Sequence, residues 1–334
     1  MRPPPQQTTS FGWQQWLAVT WLGLLLLAAV GAGLLPEQYL APDLLHTSAP
    51  PLTPNHGLGT DPLGQDVGMV LLFGARVALC VSLPAALLAA ALGTLLGLLA
   101  GYWGNQRLQL PACYWLSGFL AAACYVLVTV PSHGLVVWWW PLALGAVAIL
   151  VGRFLSCITG LRKPIAFPAD WLLLTLITLL AALPRLLLVL TVAAASEPTF
   201  WGLVVLLTLT TWPQSARLVR AEVQRVRQLP YLEAATAAGL PPWRIVRHHL
   251  LPNVWGPIAT TIPLSMAALI ALETTLSFLG VGLPPEIPSW GRLLAFSRVA
   301  PDAWWLLALP GLCLLATTLS LRQLLPVNKQ RSTI

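Results

Sequence analysis

Apolar runs of about twenty residues, the length needed to cross a bilayer as a helix, recur along this chain between short polar breaks. They fall near residues 16–35, 77–101, 112–131, 135–152, 170–192, 199–216, 254–279 and 303–321, which makes eight candidate spans. Residues 66–76 are apolar-rich but charged at both ends by Asp66 and Arg76, a pattern that suits an interfacial helix leading into the second span. Two of the breaks are long. Residues 36–68 are rich in Pro and Gly, and residues 217–253 are basic. The first run is long for the apolar core of a signal peptide and no small-x-small cleavage pattern follows it, so it reads as a retained span.

Composition sharpens this picture. The 334 residues are 57% hydrophobic and 9% charged, whereas a soluble domain carries about 25% charged residues. The chain therefore reads as an all-α polytopic membrane protein. Its net charge of +7 matters through its distribution, because Lys and Arg collect on the cytoplasmic side of membrane proteins. With the N-terminus in the cytoplasm, all but four of the 18 basic residues (Arg76, Arg185, Arg292 and Arg298) fall in cytoplasmic segments. The outer segments hold Glu37, Asp43, Asp61, Asp66, Glu197, Glu286 and Asp302, a majority of the 11 acids. An even number of spans then returns the C-terminus to the cytoplasm. Tryptophans such as Trp13, Trp16, Trp138, Trp171 and Trp304 lie near span ends, as an interfacial belt requires. The five cysteines lie in or beside apolar runs without a CxxC pair, and read as small apolar residues rather than ligands or disulfides.

The basic break contains YLEAATAAGLPPWRIVRHHLLPN, residues 231–253. Pro230 suits a first helical position, and Glu233 then sits in the first turn, where the helix dipole favours an acid. Ala234, Ala235, Ala237 and Ala238 are strong helix formers without bulk. Gly239 is placed to end that helix in a left-handed conformation. Pro241 and Pro242 cannot continue it but can open a second helix through Trp243 to Leu250, with Pro252 closing the unit. The segment therefore encodes helix, glycine elbow, helix. An alanine face lets another protein approach the backbone closely; a structural re-entry turn between two spans is the other reading. The segment is too short, and too close to the membrane, for a nucleic-acid role.

Glu233-Ala234-Ala235, then Gly239, then Leu251-Pro252 resemble the EAA loop of binding-protein-dependent ABC importer permeases. Further stretches resemble the dipeptide/oligopeptide/nickel branch and its C-type subunit: RLVRAE (217–222), HLLPN (249–253), GTDPLGQD (59–66) with Gly74-Ala75-Arg76, GYWG (101–104), and ETTLSFLGVG (273–282) with Ser289-Trp290-Gly291. The resemblance covers roughly 55–106 and 168–310. It implies a type I ABC importer transmembrane domain in a bacterial cytoplasmic membrane. It also implies two cytoplasmic ATPase subunits docked on the EAA loop, a second homologous permease and an extracytoplasmic binding protein, surrounded by lipid and with no nucleic acid. The cargo it implies is peptides or a related small solute. The chain has no GxxxxGK[ST] phosphate loop, so ATP hydrolysis belongs to the partners. The chain is expected to be a transport subunit, not an enzyme, with no cofactor.

On this reading 1–35 is the N-terminal tail and first span, 36–68 an extracytoplasmic loop, 69–106 and 168–321 the permease core, and 322–334 a cytoplasmic tail. The family core has six spans, so 107–167 reads as an inserted two-span hairpin, which preserves the orientation of all that follows. Gln65 stands where the branch has Arg, and the ending LSLRQLLPVNKQ departs from the branch's tail motif.

Charges within spans are costly and are held against protein or water. Glu273 and Arg185 are therefore candidates for the translocation path, for an interface or cap, or for a pair joined across the bundle. Asp61, Asp66 and Trp290 are candidate outer contacts. Bracing of the loop through turns is the alternative for the acids, above all for Asp61 beside Gly59 and Pro62. His46 and His56 are too sparse to define a metal site, and His248 and His249 suit the membrane surface. The competing function, a stand-alone secondary transporter or channel, leaves the EAA loop unexplained. The absence of HExxH and GxSxG motifs disfavours a membrane enzyme.

Overall fold

The computed structural model describes residues 12–105, 109–111, 117, 145–147, 150–151, 153–154, 164–166, 168–195, 199–284 and 286–324. Two compact units emerge, one of residues 1–98 and 177–334, the other of residues 99–176.

In the larger unit, α1 (Trp13–Leu34) is followed by a 3₁₀ turn at Glu37–Leu40, the outer loop, and α2 (Val67–Trp103), whose last turn belongs to the smaller unit. Asp66 Oδ1 accepts from the Met69 N–H at 3.1 Å and starts α2, which then runs unbroken to Trp103. The interfacial helix expected at 66–76 is thus the first turns of the span itself, from Val67 to Arg76. Its charge does not end the helix, because the Arg76 guanidinium packs beside Gly33 at the end of α1. The span expected at 170–192 is broken. α3 (Ala169–Ala182) and α4 (Arg185–Ala195) meet at a 77° bend. Pro184 causes it, since proline lacks an N–H and pushes the preceding residue out of the helical region.

Next, α5 (Phe200–Arg227) begins at Thr199, whose hydroxyl accepts from the Gly202 N–H. It continues eleven residues beyond the expected end because Val219, Val223 and Val226 keep one face buried. α6 (Pro230–Ala237) and α7 (Pro242–Ile245) flank Gly239. A π turn at Val246–Leu250 joins α7 to α8 (Leu251–Phe278), so that residues 242–278 form one continuous helix. α9 (Trp290–Phe296) and α10 (Trp305–Gln323) complete the unit. Among the described residues, four helices are long and apolar enough to cross a membrane: α1, α2, the 242–278 helix and α10. The α3–α4 pair would make a fifth. The spans expected at 112–131 and 135–152 lie almost wholly outside the described residues, as do most of the inserted segment and the tail beyond Leu324.

Small side chains draw these helices together. Gly93 and Gly97 of α2 form a G-x-x-x-G pair against α5. A Cβ at Gly93 would lie 2.6 Å from Ser215 Cβ, and one at Gly97 would lie 2.7 Å from the Ala216 carbonyl oxygen. Helix association in lipid depends on such close packing, because lipid tails remove the hydrophobic drive between helices. Val81, Ala85, Leu207, Leu269, Ile270 and Leu276 centre the core. Interhelical hydrogen bonds, each worth about 0.6 kcal/mol in membranes, add to it. Trp21 Nε1 of α1 donates to Thr317 Oγ1 of α10 at 3.1 Å, and Trp290 Nε1 of α9 donates to the Leu71 carbonyl at 2.9 Å. Large apolar side chains such as Leu24, Leu27, Leu87, Leu95, Leu312 and Leu315 remain exposed on the spans, which suits contact with lipid.

In the smaller unit the chain after α2 enters a two-stranded antiparallel ribbon, β1 (Gln109–Pro111) with β2 (Pro164–Ala166), in register Gln109 to Ala166. The Trp171 N–H donates to Asn105 Oδ1 at 2.9 Å. This ribbon, which the sequence pattern does not predict, brings the two ends of the 107–167 segment together.

Candidate functional site

The basic break between α5 and α8 is an elbow. α6 opens on Pro230, carries Glu233 in its first turn and ends at Ala238. Gly239 takes φ +74°, and the Leu240 N–H reaches back to the Ala235 carbonyl at 3.3 Å. Pro241 and Pro242 then open α7. Leu232, Ile245, Val246 and Leu250 are buried and anchor the elbow, while Glu233, Ala234, Thr236, Ala237 and Ala238 are exposed and Ala235 is half-buried. At the tip, the Trp243 indole is 70% exposed. Asn253 Nδ2 donates to Tyr231 Oη at 3.3 Å and to the His249 carbonyl at 2.6 Å, which ties α6 to the start of α8.

Leu251 and Pro252 do not close the unit as expected. The helix passes through them. A proline lacks the N–H for an α-helical bond and crowds the carbonyl four residues back. The π turn absorbs both problems, with the Leu251 N–H bonding to Val246 instead.

A second feature lies at the Pro184 bend. A cavity of about 790 Å³ is bordered by Pro184, Arg185, Thr211, Gln214, Arg217 and Thr261. Arg185 Nη2 donates to Thr211 Oγ1 at 2.6 Å, and its buried Nε has no protein partner. The pairing of Arg185 with Glu273 does not form. Glu273, 2% exposed within α8, instead accepts from Ser277 Oγ at 2.8 Å, one helical turn away. The sequence marked Arg185, but the polar groups that share its cavity are ordinary helix residues with no motif to betray them.

In the outer loop, Asp61 is fully buried. Its Oδ1 accepts from the Leu63 and Gln65 N–H groups at 2.9 and 2.8 Å. Burial pushes its carboxyl above the ordinary value, opposed by those hydrogen bonds and by Arg292. Gln65 carries its side chain back to the Leu40 carbonyl. Asp66 caps α2, and Trp290 is buried at the start of α9. All three candidate outer contacts thus face inward to differing degrees, Asp66 least so, with its side chain 21% exposed. Sequence reasoning missed a different grouping. Asp43 Oδ2 lies 2.8 Å from His46 Nδ1 and 3.5 Å from His56 Nε2, while His56 Nδ1 lies 2.9 Å from Asp66 Oδ2. Spacings of three and ten residues across a Pro-rich stretch gave no periodic signal for it.

Comparison with known proteins narrows what these features serve. Residues 148–332 match the family of binding-protein-dependent transport system inner membrane components. The dipeptide transport system permease protein DppC of Bacillus subtilis is 27% identical over 292 residues, 87% of this chain and 72% of its own length. A putative peptide transport system permease protein of Brucella suis is 34% identical over 179 residues, 53% of this chain and 60% of its own. The oligopeptide transport system permease protein AmiD of Streptococcus pneumoniae is 30% identical over 174 residues, 52% of this chain and 55% of its own. The chain thus spans about 60% of the length of the Brucella protein.

Proposed function

The chain belongs to the family of binding-protein-dependent transport system inner membrane components, and on that premise we propose that it is a permease subunit of an ATP-driven peptide importer, coupled to its ATPases through the elbow at residues 230–252. The relatives named for dipeptide and oligopeptide transport support the cargo class. One observation carries the coupling role. A helix with an exposed, alanine-rich face is anchored near its start by buried Leu232, and buried Ile245 anchors the far side of the elbow, in a helix that continues without interruption along the membrane span.

The proposed mechanism builds on that geometry. Two cytoplasmic ATPase subunits, one on this chain and one on a second homologous permease, close on ATP. Each carries a docked elbow with it. Glu233 at the start of α6 and the small side chains of Ala234 and Ala235 form the docking surface, Gly239 sets the angle to α7, and Leu251 and Pro252 pass the displacement into α8. The membrane part then alternates between access to an extracytoplasmic binding protein and access to the cytoplasm of a bacterial cell. This chain's share of the path is the cavity at the Pro184 bend, where Arg185 lines the wall and its positive charge favours carboxylate oxygens of a passing peptide. Residues 107–167 are read as an insertion in the permease core, and the meeting of its ends at the β1–β2 ribbon supports this.

The test is to isolate the intact assembly through a tag on this chain and reconstitute it in liposomes. The expected result is ATPase subunits in the purified complex and ATP hydrolysis that rises with peptide-loaded binding protein. Peptide flux through the chain alone, without ATPases, would favour a stand-alone transporter and overturn the proposal.

A further inference from the structure

We propose that Asp43, His46 and His56 form a binding site for a divalent transition-metal cation of the zinc class, backed by Asp66, which clasps the outer loop to the start of α2. The donors come from two turns of the loop, Asp43–His46 and Thr53–His56, and one ligand atom from each of Asp43, His46 and His56 lies within 4.8 Å of the others. Tetrahedral zinc, with bonds of about 2.0 Å to imidazole nitrogen and carboxylate oxygen, places neighbouring ligand atoms about 3.3 Å apart. The observed separations of 2.8 and 3.5 Å about Asp43 Oδ2 bracket that value, so small rotations suffice to admit an ion.

The orientations of Asp43 and His56 are each fixed by a second contact. Asp43 Oδ1 accepts from the Leu45 N–H at 3.0 Å, which leaves Oδ2 for the histidines. The Asp43 backbone is held in turn by Gly64, whose carbonyl accepts from the Asp43 N–H. Gly64 has φ +81°, and a Cβ there would lie 2.2 Å from the Asp43 carbonyl oxygen. His56 is directed by Asp66. With the Nδ1 proton donated to Asp66 Oδ2, the Nε2 lone pair of neutral His56 points toward Asp43 Oδ2. Two acceptors then face each other unless a cation lies between them or the ring is protonated. A carboxylate behind a histidine whose other nitrogen is free is the usual outer arrangement of a metal-bound imidazole.

Charge and ligand type select the ion. Two carboxylates with two neutral imidazoles favour a cation. Imidazole suits zinc, copper, iron and nickel, whereas calcium and magnesium take oxygen ligands. His56 is largely enclosed at 13% exposure, while His46 is about half exposed and forms the mouth. Three protein ligands leave the fourth position open to water or to a ligand from outside. Because Asp66 also caps α2, a bound cation would join the turn at Asp43–His46, the turn at Thr53–His56 and the first turn of α2.

The test uses the full chain in detergent, purified through a tag without histidine and stripped with chelator. Cobalt(II) is added as a spectroscopic probe, then displaced by zinc. The expected result is one cobalt per chain with the strong visible absorption of a low-coordinate site. Affinity should fall about tenfold or more in His46→Ala and in His56→Ala, and about 10–100-fold in Asp66→Asn, whose side chain still caps α2. His248→Ala, in the cytoplasmic elbow, should bind as the parent does. A second measurement needs no variant: zinc should slow amide exchange across residues 43–66 of the unaltered protein. Absence of stoichiometric binding by the intact chain, binding that survives both histidine substitutions, or loop exchange unaltered by zinc would each overturn the proposal.

Discussion

Gly239→Val probes the elbow most directly. The glycine sits at φ +74°, and nothing lies within 4 Å of where a Cβ would be. The cost of a side chain is therefore confined to the backbone. An ordinary L-residue in the left-handed region costs about 1–2 kcal/mol, and a β-branched one sits at the upper end. At about 2 kcal/mol the bent conformation is depleted by about 30-fold relative to alternatives. The buried anchors Leu232 and Ile245 lie on either side of the bend, so relief must come from moving α6 against α7. Peptide-stimulated ATP hydrolysis and transport in liposomes should fall by about tenfold or more, while membrane insertion and the yield of the chain stay normal. Two companions isolate the cause. Gly239→Asn, whose side chain tolerates this conformation, should retain most activity. Ala238→Val adds the same bulk next door at an exposed position with φ −73° and should have little effect. Normal transport by Gly239→Val, or equal loss in Ala238→Val, would refute the reasoning.

Other consequences are open to measurement. Glu233→Lys, at the exposed start of α6, reverses the charge that favours the helix N-terminus and should cut transport without loss of insertion; unaltered transport would remove Glu233 from the docking surface. Gly93→Leu must part α2 from α5, since even a Cβ there would lie 2.6–2.8 Å from α5 atoms; overpacking costs about 1–3 kcal/mol and should lower the melting temperature in detergent. Arg185→Gln keeps a donor near Thr211 but removes the charge, and should lower peptide flux by about tenfold with assembly intact, on the basis of about 1.4 kcal/mol for one lost charged contact. In metal-stripped protein the hydrogen bond to Asp66 raises His56 above its ordinary value, and the hydrogen bond to His46 lowers Asp43 below its own. The first contribution is complete below about pH 6.5 and fades as pH rises through the raised value. The second is complete above about pH 4 and fades as pH falls through the lowered value. Amide protection in the loop, measured against the intrinsic exchange rate at each pH, should therefore be greatest between those limits and decline as pH rises through the raised His56 value, where zinc should restore it.

Much of the elbow was legible because it rests on local chemistry. Prolines at helix starts, an acid in a first turn and a glycine at a left-handed position each act within a few residues. The positions of α1, α8 and α10 were legible from hydropathy for the same reason. What escaped depended on partners remote in sequence. α2 begins at Val67 because the Asp66 side chain caps it, which hydropathy does not register. α5 outlasts its apolar run because three valines face the core. Pro184 stood in plain view, yet a lone proline inside an apolar run is compatible with either a kinked span or a bent pair. The metal-type cluster required Asp43, Gly64 and Asp66 to meet through a chain of turns, which has no period to recognise. Trp290 looked like a surface residue by motif and is buried because its indole reaches the Leu71 carbonyl.

The π turn ahead of α8 carries a constraint in angular phase. Each α-helical residue advances a helix by 100°, so one extra residue in a wide turn re-aims everything upstream of it relative to the membrane-spanning part. Buried residues lie on both sides of that turn, Ile245, Val246 and Leu250 before α8 and Val254 and Ile258 within it. A single deletion there would leave the helix unbroken and just as apolar, yet would swing the elbow about a quarter of a turn around the span's axis. Length in this connector therefore acts as a dial setting, and related chains that differ in length here would have to present their docking helices at a different bearing.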